Sequence, residues 1–146
     1  MGLFDKFSSK DEKVKLSNEE AFAAVSLAII AADGVITGEE ARGMSMAFYR
    51  MRMFAGYNDN QMASILNKLV SIVKKQGVDA LIIMAKETLS EDMRVTAFAV
   101  ATDLALADGD IAEEEKKLLT KAQQSLGLPE AEAIKIIEVM MIKNRG

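Results

Sequence analysis

The sequence predicts an all-α, single-domain bundle of about seven helices, built from a duplicated helix-turn-helix unit with apolar central helices. Three observations lead to this. Ala32-Asp33-Gly34-Val35-Ile36-Thr37-Gly38-Glu39-Glu40 returns 75 residues later as Ala107-Asp108-Gly109-Asp110-Ile111-Ala112-Glu113-Glu114-Glu115, and self-similarity at a fixed offset marks a repeated supersecondary unit. Each copy follows an almost uninterrupted apolar run, residues 21–32 and 95–107. These runs fall short of the roughly 20 residues that span a bilayer, so they read as buried helices rather than transmembrane segments. Finally, helix start and stop signals recur along the chain, with no convincing strand pattern between them.

The elements follow in order. Ser17 and Glu20 form a capping-box pattern that opens the first helix, which ends near Asp33, with Gly34 able to close it in a left-handed conformation. Thr37 and Glu40 repeat the pattern and open a second helix, expected to reach Phe54 before Gly56. Asn58 starts a third, running to Gln76 and Gly77, and a shorter fourth covers 78–89. Ser90, with Glu91 and Asp92 in the first turn, starts the fifth, closed by Gly109. The Asp110-x-x-Glu113 pattern begins the sixth, closed by Gly127, and Pro129 suits the first position of a seventh that runs to Lys143. Helices one and five are apolar nearly all round, as central helices should be, and the others carry one apolar stripe. The domain is expected over residues 17–146, with internal repeats at 17–54 and 92–127, after a tail at 1–16 that mixes charge and serine without periodicity. In that tail Leu3, Phe4 and Phe7 would suit docking on the domain itself, on another protein or on a membrane surface.

Composition narrows the chemistry. The chain has no Cys and no His, which removes disulfides, thiol chemistry, Ser-His catalysis and most zinc and haem sites. An enzyme would have to work with carboxylates, Lys, Tyr or Ser alone, so a non-enzymatic role is expected, with a carboxylate-only metal-dependent enzyme as an alternative. A net charge of −4 gives no electrostatic reason to expect nucleic acid. The absence of cysteine fits a cytoplasmic protein. Residues 1–10 lack a basic start and an apolar stretch, so no secretory leader is expected.

The repeated acidic turns carry the main functional expectation. Asp33 and Asp108 each fall at a helix C-terminus, where the macrodipole disfavours negative charge. Capping by backbone amides would offset this, and so would a hard cation such as calcium, magnesium or manganese bound by Asp33, Glu40, Asp108 and Glu115. An EF-hand register fits only in part. With Asp33 at loop position 5, Gly34, Ile36 and Glu40 fall correctly at 6, 8 and 12. Positions 1 and 3, however, become Ile29 and Ala31, and in the second copy Leu104 and Leu106. A genuine EF-hand is therefore not expected. Both readings of the turns stay open.

The two motifs, followed by Lys116-Lys117-Leu118-Leu119 and Ser125-Leu126-Gly127-Leu128, resemble the bacterial tellurite-resistance protein B (TerB-like) family over about residues 17–140. The N-terminal region of membrane-anchored DnaJ-like co-chaperones carries similar motifs. The resemblance implies an all-helical duplicated domain in a cytoplasmic protein of tellurite resistance and wider stress responses, working with protein partners that are often membrane-associated. It maps the family's acidic residues onto Asp33, Glu39, Glu40, Asp108, Glu114 and Glu115. Ala112 departs from Thr37, so the second turn should be held differently. Without Cys or His, direct reduction or thiol capture of tellurium oxyanions is not expected. A co-chaperone-like interaction module with purely structural turns is the other reading.

Two further features invite interpretation. Asp103 sits within an apolar helix, where a buried carboxylate needs a partner; Arg42 or Arg50 are candidates. Met44, Met46, Met51 and Met53 lie at i, i+2 spacings, which on a helix point apart, so core packing outweighs a copper(I) site. With Phe48, Tyr49, Arg50, Arg52 and Phe54 alongside, residues 44–54 form the expected protein-binding surface. Met46, Tyr49 and Met53 are its candidate contacts for a partner or for a second copy in a homodimer.

Overall fold

The computed structural model describes residues 14–145 except 33, 108–110 and 112. It places α1 at Asn18–Ile30, α2 at Gly38–Tyr49, a 3-10 turn at Arg52–Phe54, α3 at Asp59–Gln76, α4 at Val78–Thr88, α5 at Glu91–Ala105, α6 at Glu113–Ser125 and α7 at Glu130–Lys143. The fold is all-α, with no strand among the described residues. None of these helices is long and apolar enough to cross a membrane. Among the described residues seven α-helices are present in the expected order, and Gly109, expected to close the fifth, lies outside the described residues.

The capping logic holds where it can be read. Ser17 N–H donates to Glu20 Oε1 at 2.9 Å while Glu20 N–H donates to Ser17 Oγ at 3.1 Å. Asn58 and Gln61 exchange equivalent bonds at 2.9 and 2.8 Å. Each pair satisfies two amides that would otherwise lack partners at a helix start. At α5 only the Ser90 hydroxyl serves, accepting from Met93 N–H at 3.3 Å.

Helix α1 is the centre of the molecule. Every residue from 21 to 29 is buried, and α3, α4, α5 and α6 all pack around it. Its small residues, Ala21, Ala23, Ala24, Ser26 and Ala28, let neighbours such as Ala85, Ala97 and Ala101 approach closely. The Ser26 hydroxyl is fully buried and has no hydrogen-bond partner among the described residues. Helix α5 is less enclosed, burying Ala97, Phe98, Ala101, Thr102 and Ala105 on one face. Between α1, α2 and the 3-10 turn, three rings lock together. Phe48 stacks on Phe54 with centroids 5.2 Å apart, and Phe22 meets both edge-on, an arrangement that adds to the gain from area burial.

Four expectations require correction. Helix α2 ends at Tyr49 rather than Phe54, and Met51 takes an extended conformation before the 3-10 turn. In a continuous helix Phe48 and Phe54 would sit about 120° apart; the break turns both rings into the core. Pro129 takes the N-cap position rather than the first helical one, a shift of one residue. Asp103 does not meet Arg42 or Arg50: Lys143 Nζ lies 3.0 Å from its Oδ1, and Asn144 Nδ2 donates to the same oxygen at 2.8 Å. That half-buried carboxylate therefore ties α5 to the end of α7. At the other terminus, Leu16 belongs to the core rather than to a tail.

Candidate functional site

The first acidic turn is built by the end of α1. Ala31 N–H donates to Leu27 O at 2.8 Å, Gly34 N–H to Ala31 O at 2.9 Å, and Gly34 takes φ +80°. That left-handed conformation strains any side chain, and a Cβ at Gly34 would come 3.0 Å from Lys74 Cγ. The lysine stem at the end of α3 therefore lies against the turn. Asp33 lies outside the described residues. Thr37 and Glu40 then open α2: Thr37 N–H donates to Glu40 Oε1 at 3.0 Å, and Glu40 N–H donates to Thr37 Oγ1 at 3.1 Å. One Glu40 oxygen is thus engaged in the cap. Glu39, beside it, is exposed.

The second turn is described less fully, because Asp108, Gly109, Asp110 and Ala112 lie outside the described residues. Glu113, Glu114 and Glu115 occupy the first turn of α6, where carboxylates favour the positive end of the helix dipole. Glu115 is half-buried and Glu114 exposed. Glu113 pairs with Lys116 at 3.1 Å on the surface. Among the described residues, which exclude Asp33 and Asp108, no three carboxylates gather as a metal-binding group.

The α2 surface separates its candidate residues. Met44 and Phe48 are fully buried, whereas Met46 points outward at 58% exposure. Tyr49 is also exposed, but its hydroxyl donates to Asp59 Oδ1 at 2.7 Å, tying α2 to the start of α3. That hydrogen bond, with smaller contributions from burial and from the Asp59 charge, holds the phenol above its ordinary pKa. Met53, on the 3-10 turn, is half-buried against the core. Met46 and Tyr49 thus share an outer surface, and Met53 is largely a packing residue.

A feature not read from the sequence lies on the opposite pair of helices. Between α6 and α7 runs a groove of about 930 Å³, floored by Phe98 and Leu119 and walled by Ile134, Ile137 and Met141. Its size would suit a small ligand, and three of its polar side chains are engaged within the protein. Gln123 Nε2 donates to Leu128 O at 2.6 Å, Asn144 Nδ2 to Asp103 and Met140 O, and Thr120 Oγ1 to Lys116 O. Lys116, Gln124, Glu130 and Arg145 add charged and polar groups to an otherwise apolar lining. The only sequence signal was the apolar excess of α7, where Ile134, Val139, Met141 and Ile142 are all exposed.

The model of one family, tellurite resistance protein TerB, matches residues 19–138 of the chain. Neither the curated proteins nor the solved structures yielded a match.

Proposed function

The chain belongs to the TerB family, and from that premise we propose that it is a non-enzymatic binding domain of a tellurite-resistance or wider stress system. Its two acidic turns are the binding elements, taking a hard divalent cation or an oppositely charged partner surface. The observation that carries this reading is the repeated placement of carboxylates at the opening of α2 and α6, each shortly after an Asp-Gly pair in the sequence. Oxygen ligands of this kind suit calcium, magnesium or manganese. Absence of Cys and His, which removes the commonest nucleophile–base pairs, supports binding rather than catalysis. The outward Met46 and the neighbouring Tyr49 give a partner or second copy an apolar contact on the same helix that Glu39 and Glu40 open. A cytoplasmic site of action, reached at the membrane only through a partner, fits the sequence.

A second reading is favoured by one observation. The Thr37–Glu40 capping box accounts for Glu40 without a metal, and Lys74 already brings a basic side chain to the first turn. In that case the turns are structural, and the domain is an interaction module of the co-chaperone kind.

Calorimetric titration separates the two. Chelator-treated protein titrated with calcium, magnesium and manganese should release binding heat, and Asp33→Asn with Asp108→Asn should weaken it while leaving helical content intact. Undiminished binding in the double variant would move the site elsewhere. No binding by the unaltered chain would leave the interaction module.

A further inference from the structure

Apolar exposure gathers on one helix. Of the nine large apolar side chains exposed among the described residues, four lie on α7: Ile134, Val139, Met141 and Ile142. Ile134 and Met141, 48% and 55% exposed, wall the groove beside α6. That wall carries opposite charges at its two ends. Glu130 opens the helix and Arg145 follows its close, and both line the groove. Both are exposed, and neither side chain makes an ion pair or a hydrogen bond. Asn144 N–H donates to Met140 O at 3.0 Å, which carries the helical path on towards Arg145. At 100° per residue, Glu130, Ile134, Ile137, Met141 and Arg145 fall within an arc of about 80°. Steps of three and four residues along one arc are the spacing of a helix–helix seam.

The order of groups along this seam is acidic, apolar, basic. Such an order complements itself when turned end for end, which is what a twofold contact between identical chains requires. We propose that a second copy of the chain packs on this face, with the two α7 helices antiparallel. A twofold axis passing between Ile137 and Glu138 sets Ile134 opposite Met141 of the second copy, since the two lie equally far from it on either side. The same axis sets Glu130 opposite Arg145, so the charge pair forms twice, once at each end. A parallel arrangement would bring Glu130 to Glu130 and Arg145 to Arg145, and that repulsion fixes the orientation.

Covering the exposed apolar stripe supplies the drive, and antiparallel helix dipoles add to it. Glu138 stands just beyond the arc and does not line the groove. It is exposed, so water keeps the approach of two Glu138 carboxylates weak. A seam of four helical turns lies at the small end of stable interfaces, below about 1,200 Å², and the dimer should therefore dissociate on dilution. Pairing through α7 needs neither Met46 and Tyr49 nor a cation in the acidic turns. Chelator should leave it in place.

Sedimentation of the full-length chain in low salt, followed from micromolar to millimolar concentration, should show a reversible monomer–dimer equilibrium. Glu130→Arg and Arg145→Glu should each raise the dissociation constant by at least about tenfold, because each replaces two attractions with two repulsions. Combining them restores opposite charges and should return the constant to within about threefold of the parent value. Ile134→Glu should abolish association, and Met46→Lys should leave it unchanged. Unchanged helical circular dichroism would show that each variant keeps its fold. A chain that stays monomeric at millimolar concentration would overturn the proposal. Shifts of the Ile134 and Met141 methyl signals on adding dodecanoate to that monomer would then assign the groove to an amphiphile. Single charge variants that associate like the parent, or a double variant no better than either single one, would also overturn it. Association lost in Met46→Lys but kept in Ile134→Glu would place the second copy on α2 instead.

Discussion

The helix pair α1–α2 and the helix pair α5–α6 follow the same order of signals yet end in different surfaces. In the first, a two-way capping box opens each helix, and Phe22, Phe48 and Phe54 close the space between them. In the second, Ser90 caps α5 through one bond, Ala112 stands where Thr37 would cap, and an apolar groove stays open against α7. Similar sequence signals thus accompany a half closed by its rings and a half with an open groove. At the 75-residue sequence offset, Ala97, Gln123 and Pro129 stand where the first half has Phe22, Phe48 and Phe54.

The largest effect should come from reversing that closure. Phe48→Ala removes a fully buried ring and should cost about 3–5 kcal/mol in urea unfolding. Gln123→Ala, at the corresponding position, loses one hydrogen bond to Leu128 O and should cost about 1 kcal/mol. Equal costs would break the comparison. Next in size is Gly34→Ala, which places a side chain at φ +80° and 3.0 Å from Lys74 Cγ. It should destabilise by about 1–2 kcal/mol, with the thermal midpoint as the check.

The smallest effect concerns the start of α1. Burial, the largest single influence on Glu20, raises its pKa, but the Ser17 N–H and the Lys68 ammonium 3.0 Å away together outweigh it and hold the carboxyl below its ordinary value. Its contribution to stability is therefore present above the unfolded-state pKa and lost as pH falls through the lowered folded value. Glu20→Gln keeps the cap geometry but not the charge. It should cost about 0.5 kcal/mol at neutral pH and flatten the acid limb of a stability–pH curve. An unchanged acid limb would remove Glu20 from the account.

Local signals made much of the fold legible. Ser17, Thr37, Asn58 and Ser90 announced helix starts because a capping side chain acts within three residues, and Gly34, Gly77 and Gly127 all adopt positive φ where helices end. What escaped was long-range. No residue between Tyr49 and Phe54 breaks a helix by its own propensity; the demand that Phe48 and Phe54 both reach the core does. Asp103 found Lys143 and Asn144, partners forty residues away that no spacing rule identifies. The groove was hidden for a related reason, since the apolar excess of α7 shows in the sequence but only the packing of α6 and α7 shows how little covers it. Of Met46, Tyr49 and Met53, named together from the sequence, Met46 and Tyr49 are exposed, whereas Met53 was drawn inward by the same break that moved Phe54.

The central claim is that one half of the molecule is closed by its own side chains and the other is not. Native-state hydrogen exchange tests it most directly, because protection reports how far each helix must open. Amides of α1 and of residues 44–48 in α2 should exchange only through global unfolding. Those of α6 and α7 should exchange through smaller openings, faster by on the order of tenfold, equivalent to about 1.4 kcal/mol. Equal protection in the two halves would contradict the claim.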